Sequence, residues 1–490
     1  MRFRTLCLLT VRVVVVGGGM AGLGAALALA RDGHEVTILE RDDTPMPDSP
    51  EEAFSHWERR GAPQVHHSHA FLARLRQLLL ERAPDVRDAL LAAGATELHF
   101  TDNLPDTLSD RDPRAGDDQL VALACRRTTF EWVLRRCVLA EAGVTLRHGV
   151  VADGLVARGA TGGVPVVTGV RAGADVLNAD LVLDARGPRS NSDDWLAAIG
   201  AAPVPEVLHE SGIVYFSRFY RLDAGASFPA TTGPVAGDLG YLKFAVFMGD
   251  NRTFSVTYAV DAHDDDLRRR LARTAPFEAA ARALPFTAPW RTEIAAQPIT
   301  DVAVMAGLRN RYRPLVVDGQ PLVSGFAAVG DASVCTNPLY GRGCSLALVH
   351  AFGLADSLRT HGSDVHAFAV AFGEFTEREL VPWFRNAVLQ DEQSRAMAAS
   401  ATATSESSAE DPRAFMREVF RDGLLPAVRT SPAVYRAFLR WFNLLEQPEA
   451  LMTDAEVVAA VLATYQDREN RAPEAPLGPD RTEFDAALNA

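Results

Sequence analysis

Lysine is almost absent from this chain: Lys243 is the only one, and arginine carries nearly all of the positive charge. One lysine leaves little room for mechanisms that need a lysine nucleophile or a Schiff base. Positive charge is also outnumbered, since the formal net charge is −14. A surface with that balance repels phosphate backbones and anionic headgroups, so nucleic acids and anionic membranes are not expected partners.

Cysteine and long apolar runs are scarce as well. The five cysteines form no Cys-x-x-Cys pair. An odd and low count in 490 residues is typical of a reducing compartment and not of a disulfide scaffold. Outside the N-terminus no run reaches the roughly 18 apolar residues of a membrane span. We therefore expect a cytoplasmic protein without an integral membrane segment.

The longest apolar stretch is the N-terminus itself, MRFRTLCLLTVRVVVVGGGMAG. A basic start followed by an apolar run could be a secretory signal peptide. Arg12 interrupts the run, however, and Val13–Val16 lead directly into glycines, as a buried strand does. We favour the strand, and we expect residues 1–10 to be dispensable, with Val11 as the true start.

Residues 13–40 predict a strand, a glycine turn, a helix at Ala21–Arg31 and a second strand. Gly17, Gly19 and Gly22 form a Gly-x-Gly-x-x-Gly pattern directly after the first strand. In a βαβ unit the first glycine allows the tight turn, the second lets a pyrophosphate approach the backbone, and the third lets helix pack on strand. The helix N-terminus that follows favours the anion. This part of the chain predicts a dinucleotide site.

An acidic residue completes this pattern. Glu40 follows the second predicted strand, Val36–Leu39. A carboxylate at this position can accept hydrogen bonds from ribose hydroxyls. The local motif does not distinguish FAD from NAD. The cofactor contacts predicted in this unit are Gly17, Gly19, Met20, Ala21, Gly22, Glu40 and Arg41.

A second stretch, residues 325–358, resembles the second flavin-binding motif of class A flavoprotein monooxygenases, the p-hydroxybenzoate hydroxylase-like superfamily. A predicted strand, Phe326–Val329, ends in Gly-Asp, and a helix is predicted to begin about ten residues later. In that family the Gly-Asp carboxylate binds the ribityl chain and a Pro-x-x-Gly-x-Gly turn follows. The resemblance implies FAD, with contacts from Asp331, Pro338, Gly341 and Gly343.

Two further stretches are similar to the same family. Arg127 precedes a predicted amphipathic helix, where family members place an arginine near the FAD phosphates or ribose; Arg126 is the alternative. The segment with Asp184, Gly187 and Ser190 resembles the family's Asp-Gly segment. Its Asp-Ala-x-Gly form is closer to that of prenyl reductases, epoxidases and halogenases. That form leaves a pyridine-nucleotide contact at this segment in doubt.

The resemblance covers roughly residues 11–360 and implies an α/β fold with a Rossmann-like, GR2-type FAD-binding domain. Aromatic-rich and valine-rich strands predict an inserted antiparallel β-sheet substrate domain, and a C-terminal helical segment follows. No second Gly-x-Gly-x-x-Gly exists, so a separate NAD(P)H domain is not expected. Residues 400–412 have the composition of a linker. The predicted units are an FAD-binding domain at 11–190 and 301–400, a substrate sheet at 191–300, a helical cap at 413–466 and a surface tail at 467–490.

The segment PQVHHSHAFL, residues 63–72, carries three of the twelve histidines. A metal site would use His67 and His69 together with His66 or a distant ligand. No Asp, Glu or Cys lies between residues 61 and 80, so no metal is predicted. A plain surface loop is a further alternative.

We favour a loop beside the flavin. The segment resembles a Pro-Gln-x-x-His-x-His loop of some bacterial FAD-dependent oxidoreductases, which selects Pro63, Gln64, His67 and His69 and leaves out His66. Gln64 and a neutral imidazole could bind flavin or substrate, and a histidine whose pKa lies near working pH could supply a proton. The catalytic candidates are therefore His67, His69 and Gln64.

The resemblance implies an FAD-dependent monooxygenase. In that chemistry reduced flavin and O2 give a C4a-(hydro)peroxide, which hydroxylates or epoxidises a small apolar or aromatic organic substrate. NAD(P)H, or reduced flavin from a partner reductase, would supply the electrons. The alternatives are a flavin-dependent reductase or desaturase without oxygen insertion and a non-catalytic flavin-binding protein. A halogenase is not favoured, because the sequence has no Trp-x-Trp-x-Ile-Pro segment and Lys243 lies in a predicted strand.

Overall fold

The computed structural model describes residues 10–102, 104–161, 163–229, 236–362, 364–402, 412–471 and 476–489. Residues 1–9 of the predicted dispensable start lie outside this range, as does most of the predicted linker at 400–412. No helix within the described ranges is both long enough and apolar enough to cross a membrane.

The bounds of the elements are as follows. The strands are β1 (Arg12–Val16), β2 (Glu35–Glu40), β3 (Thr96–His99), β4 (Val121–Ala124), β5 (Val144–His148), β6 (Gly154–Thr161), β7 (Val164–Ala172), β8 (Asp175–Asn178), β9 (Leu181–Asp184), β10 (Val207–Glu210), β11 (Ile213–Leu222), β12 (Ala236–Asp238), β13 (Lys243–Met248), β14 (Thr253–Asp261), β15 (Ala296–Pro298), β16 (Ala303–Met305), β17 (Arg309–Tyr312), β18 (Val316–Val317), β19 (Gln320–Pro321), β20 (Phe326–Ala328) and β21 (Val334–Cys335). The α-helices are α1 (Met20–Arg31), α2 (Pro50–His56), α3 (Ala73–Arg82), α4 (Pro84–Ala92), α5 (Arg127–Ala140), α6 (Ser192–Ala198), α7 (Asp265–Leu271), α8 (Thr274–Ala283), α9 (Pro289–Thr292), α10 (Gly343–His361), α11 (Val365–Glu379), α12 (Val381–Thr402), α13 (Pro412–Glu418), α14 (Leu425–Thr430), α15 (Pro432–Phe442), α16 (Ala450–Thr453), α17 (Ala455–Gln466) and α18 (Arg481–Ala487).

The central sheet has five parallel strands in the order β20-β9-β1-β2-β5. Val13 and Val15 of β1 pack on helices α1, α5 and α10, whereas Val14 and Val16 pack on the antiparallel strands β6 and β7. Burial on both faces explains the uninterrupted valine run. The strand order reverses at β1, and ligands of open α/β sheets bind in the crevice at such a reversal, beyond the carboxyl ends of the strands.

A second sheet is antiparallel, with the order β12-β13-β14-β11-β15 and β16 also paired to β11. Phe254, Val256 and Tyr258 of β14 pack in one core with α7 and α8. The alternate residues Ser255 and Thr257 face the opposite way, and both bond to Ser68 of the central domain. The observed architecture confirms the predicted fold class, an α/β Rossmann-like domain with an inserted antiparallel sheet and C-terminal helices.

The hairpin between β13 and β14 fixes the inserted sheet to the central domain. Asp250, fully buried, accepts hydrogen bonds from the backbone N–H of Arg126 at 2.6 Å and from Thr129 Oγ1 at 2.8 Å. The Arg126 guanidinium pairs with the same carboxylate and with Glu51. Removing one partner of such a buried ion pair costs about 3–5 kcal/mol. The inserted sheet is therefore held in a defined position against the start of α5.

The end of the chain differs from the expected surface tail. Helix α18 forms within the predicted tail, and Asp480 and Glu483 make a capping box at its start. Phe484 is fully buried and Leu488 nearly so, both in the core of the inserted sheet. The two residues are four apart and share one helix face, which is enough apolar surface to dock a short helix. The preceding proline-rich composition hid this signal.

Candidate functional site

In the glycine turn after β1, Gly17 and Gly22 are required by the backbone around them, whereas Gly19 faces open space. Gly17 has a φ of 112°, and a Cβ there would lie 2.6 Å from the backbone oxygen of Ala185. A Cβ on Gly22 would lie 1.9 Å from Gly17 O, so the helix and the strand leave no room for one. A Cβ on Gly19 meets nothing within 4 Å. Gly19 is therefore the position where another molecule can approach the backbone.

Helix α1 begins at this turn with its N–H groups uncapped. Gly19 is the N-cap, no side chain bonds the first turn, and no acidic residue lies there. The first N–H groups, including those of Met20 and Ala21, have no partner within the helix. Together with the helix dipole they favour an anion, as the sequence predicted.

The end of β2 carries partners that the sequence did not reveal. Glu40 accepts from Arg59 Nη2 at 3.1 Å and from the backbone N–H of Asp42 at 3.1 Å. Arg59 also bonds Asp42 at 3.0 Å and Glu131 Oε1 at 2.8 Å. Each Glu40 oxygen retains a second acceptor site for a ribose hydroxyl. Arg41, by contrast, is exposed at the rim.

The two candidate arginines at the start of α5 take different roles. Arg126 is committed to the clamp with Asp250. Arg127 reaches the other way: its Nη1 donates to Cys344 Sγ at 2.8 Å at the start of α10, and its Nη2 donates to Glu131 at 2.9 Å. Burial would raise the pKa of Glu131, but three neighbouring arginines lower it to about 2. The buried Nε of Arg127 has no partner in the described part of the chain, which leaves one donor for a ligand.

Asp331 lies in the turn after β20, at the same edge of the sheet. None of the described residues donates a hydrogen bond to its carboxylate, and burial raises its pKa to about 6 although Arg127 and Arg311 oppose the shift. The turn is positioned from behind by His350, whose Nδ1 accepts from the Gly330 N–H at 3.1 Å. A half-buried carboxylate that receives no hydrogen bond from the described residues fits a ligand that supplies hydroxyl groups.

The pH dependence of FAD binding tests the role that the resemblance to flavoprotein monooxygenases implies for Asp331. Hydroxyl donors need the ionised carboxylate, and a pKa near 6 means that binding must release a proton below that pH. We expect the FAD affinity of the apoprotein to be constant above about pH 6.5 and to fall about tenfold per pH unit below about pH 6. Titration of apoprotein with FAD by flavin fluorescence measures this. Asp331→Asn should bind about tenfold more weakly at pH 8 and show no slope; an identical slope in Asp331→Asn would assign the proton to another group.

The turn before α10 is similar to the first glycine turn. Pro338–Tyr340 form a 3₁₀ turn, and Gly341 follows with a φ of 67°. A Cβ on Gly341 would lie 2.6 Å from the Cβ of Ala70. The segment at residues 63–72, here called the histidine loop, therefore packs directly on this turn. Gly343 opens α10, and a Cβ there meets nothing within 4 Å. A second helix N-terminus therefore faces open space through a glycine.

A buried polar network anchors this turn and could not be read from the sequence. Asn337 Nδ2 donates to Asp391 Oδ1 at 2.8 Å, and Asn310 Nδ2 donates to Asp391 Oδ2 at 2.7 Å. Asn337 Oδ1 accepts from Tyr215 OH at 2.8 Å. The four residues come from the inserted sheet, β17, the turn and α12. Their separation along the chain leaves no sequence signal.

The histidine loop lies between the central domain and the inserted sheet. His67 Nδ1 is 3.3 Å from Ser217 Oγ. His69 Nδ1 donates to the His67 carbonyl oxygen at 2.9 Å, which leaves His69 Nε2 as a hydrogen-bond acceptor. Gln64, half-buried, makes no side-chain hydrogen bond within the described ranges, and His66 is exposed. The loop thus contributes one polar acceptor and one unengaged amide near the turn.

The charge state of these histidines differs from the expectation. Burial lowers the pKa of His67 to about 4 and, with the added effect of Arg127, that of His69 to about 3. Both are therefore neutral at working pH and are not acids with a pKa near neutrality. Among the described residues, no three His, Cys, Asp or Glu side chains are grouped so as to hold a metal ion.

Comparisons with known sequences match the first motif and one relative over most of its length. Residues 15–81 match the family described as an NAD(P)-binding Rossmann-like domain. Protein Rv3254 of Mycobacterium tuberculosis is 27% identical over 463 residues, which cover 88% of this chain and 89% of that protein. Protein FixC of Salmonella typhi is 26% identical over 178 residues, 36% of each chain.

Solved structures share the fold at low identity. PqsL, a probable FAD-dependent monooxygenase from Pseudomonas aeruginosa, matches 80% of this chain and 96% of its own with a TM-score of 0.57 and 16% identity. The anhydrotetracycline hydroxylase OxyS from Streptomyces rimosus matches 89% of this chain and 76% of its own with a TM-score of 0.53 and 19% identity. The flavin-dependent brominase Bmp2 matches 98% of both chains with a TM-score of 0.51 and 13% identity. This chain has the fold of flavin-dependent enzymes.

Proposed function

We propose that this protein is an FAD-dependent oxidoreductase, and specifically a monooxygenase acting on a small apolar or aromatic compound. One observation carries the proposal: Gly19 and the unpartnered carboxylate of Asp331 follow strands β1 and β20 of the same parallel sheet. The turn at Gly330 lies against both α1 and α10, the two helices that Gly19 and Gly343 open. Such a set suits a ligand with a diphosphate, a polyol and an electron-rich ring edge. FAD has all three.

Each group of the cofactor has a counterpart among these residues. The N–H groups of α1 would hold the pyrophosphate, Glu40 the adenosine ribose and Asp331 the ribityl hydroxyls. The N-terminus of α10 would stabilise negative charge on the flavin ring. Arg127, fixed between Glu131 and Cys344, adds a positive charge beside Asp331. When bound, FAD supplies the activation of O2 and the transfer of one oxygen atom.

The chain's own work is to exclude water and orient the substrate. Tyr215 and Ala259 of the inserted sheet pack with Met305 and Leu339 where the sheet meets the turn before α10, and this apolar surface supports an apolar or aromatic substrate. His69 Nε2 is the acceptor that would orient a substrate hydroxyl or N–H. For the reductant, NAD(P)H and reduced flavin from a partner reductase both remain open proposals.

Oxygen isotope transfer tests the proposal. The purified protein should release FAD on denaturation, and turnover of an aromatic substrate panel under 18O2, with NAD(P)H or enzymatically reduced FAD, should place one labelled atom in the product. A product formed without label would favour the reductase or desaturase. Protein that neither retains FAD nor binds it on reconstitution would overturn the flavin assignment altogether.

The histidine loop has its own prediction. His69→Ala removes an oriented acceptor, so FAD should remain bound while kcat/KM falls between about tenfold and a hundredfold. His66→Ala, at an exposed position, is the matched control and should change kcat/KM less than about twofold. Because His67 and His69 are both neutral, kcat/KM of the wild type should show no histidine inflection between about pH 5.5 and 8. An inflection near pH 6.5 that disappears in His69→Ala would contradict this assignment.

A further inference from the structure

Strand β20 is the edge of the central sheet, and its outer edge is unpaired. Gly325 O accepts from β9 at 3.0 Å and Val329 N donates to β9 at 2.9 Å. Along a strand the N–H and C=O groups of successive residues point to alternate edges, so those of Phe326 and Ala328 point away from β9. Among the described residues nothing bonds their N–H and C=O groups. Free backbone groups at a sheet edge are binding sites for a complementary donor and acceptor.

These groups border a cavity of about 580 Å³. The cavity lies between α11 and residues 312–319 and is partly open to solvent. Its walls are largely apolar, with Leu315, Val316, Val323 and Phe372 among them. A volume of this size lies within the range of small-molecule sites, roughly 300–1,000 Å³. The unpaired stretch of β20, Phe326–Ala328, is too short for another chain to add a strand of ordinary length.

Three carboxylates, Asp318, Glu374 and Glu377, and two arginines, Arg313 and Arg378, line the cavity. Arg313 pairs with Asp193, and Arg378 donates to Glu379 at 3.1 Å. Glu377 accepts the hydroxyl of Tyr312. Both arginines are paired with carboxylates, although Arg313 Nε has no partner among the described residues. The excess of carboxylates disfavours an anionic ligand, and the largely apolar walls disfavour a cation that would lose its hydration. The chemistry favours a neutral ligand.

We propose that this cavity is a second small-molecule site, distinct from the FAD cleft, for a neutral, flat and mainly apolar compound with an amide-like or lactam-like edge. The donor and acceptor of that edge pair with the outward N–H and C=O groups of β20. The ring lies between the apolar side chains of α11 and of residues 315–323. This assignment does not depend on the reaction proposed above.

Benzamide is the simplest probe, and benzoate is its charged counterpart of the same shape. With the FAD-loaded full-length protein, isothermal titration or ligand-observed NMR should show saturable 1:1 binding of benzamide, at least about tenfold tighter than that of benzoate. Ala369→Trp fills the cavity from α11 and should abolish binding. Ala371→Trp, on the same helix but outside the lining, is the matched control and should retain it.

A second variant keeps the test decisive if the first variant does not fold. If Ala369→Trp does not fold, Val370→Trp enters the cavity from a half-buried position and should have the same effect. FAD content and thermal stability of each variant are measured in parallel, so loss of the flavin fold is distinguished from loss of this site. The proposal is overturned by no saturable benzamide binding, by equal binding of benzoate, or by benzamide binding that survives in a folded cavity-filling variant.

Discussion

Gly19→Val is expected to yield a folded protein that retains no FAD, whereas Gly22→Val is expected to lose the fold. The two glycines belong to one motif, but their surroundings differ. A Cβ at Gly19 meets nothing within 4 Å, while one at Gly22 would lie 1.9 Å from Gly17 O. Valine at Gly19 therefore blocks only the approach of the pyrophosphate. Valine at Gly22 forces the helix from the strand, at a cost of about 3 kcal/mol or more.

Thermal unfolding of the apoproteins and the flavin absorbance of the purified proteins measure these two outcomes separately. We expect apo Gly19→Val to unfold within about 1 kcal/mol of the wild type and to bind FAD at least about a hundredfold more weakly. Gly159→Val is the matched control, since Gly159 is exposed and its Cβ also meets nothing within 4 Å. Wild-type FAD content in Gly19→Val would show that the diphosphate does not bind at the N-terminus of this helix.

The first βαβ unit shows how far local signals reach. The predicted strand at residues 13–16, the helix at 21–31 and the strand at 36–39 each agree with the structure to within about one residue at either end. Periodicity, glycine punctuation and a terminal acid are all contained in that stretch. The start of α10 at Gly343 and the start of α5 at Arg127 were predictable for the same reason.

Contacts between distant segments were beyond the same reasoning. Arg59 has no motif around it, yet it bonds Glu40, Asp42 and Glu131. Without a measure of burial, the sequence predicts a loop histidine whose pKa lies near working pH, whereas burial lowers the pKa of His69 to about 3. Docking of Phe484 into the inserted sheet is a tertiary contact of the same kind. Long-range packing, and not local propensity, decides these features.

Exchange of the amide and the carboxylate within the Asn337–Asp391 pair is the sharpest test of how the turn before α10 is held. Asp391→Asn places a third amide against two amide donors, so one buried N–H loses its acceptor. Asn337→Asp places two carboxylates together in a buried position. Each single variant should lose about 2–4 kcal/mol of stability and bind FAD at least about tenfold more weakly. Tyr215→Phe removes one hydroxyl from the same network and is the mild control, at about 1 kcal/mol.

The double variant Asn337→Asp, Asp391→Asn should recover most of the lost FAD affinity and stability. In the exchanged pair the new amide donates to the new carboxylate and its oxygen still accepts from Asn310, while the carboxylate accepts from Tyr215 and from the backbone N–H of Leu339. Every donor then has a partner, which neither single variant achieves. A double-variant cycle of FAD dissociation constants and unfolding free energies gives the coupling energy directly. Additive losses would mean that the turn is held by packing alone, because a hydrogen-bonded pair is restored by exchange and a packing contact is not.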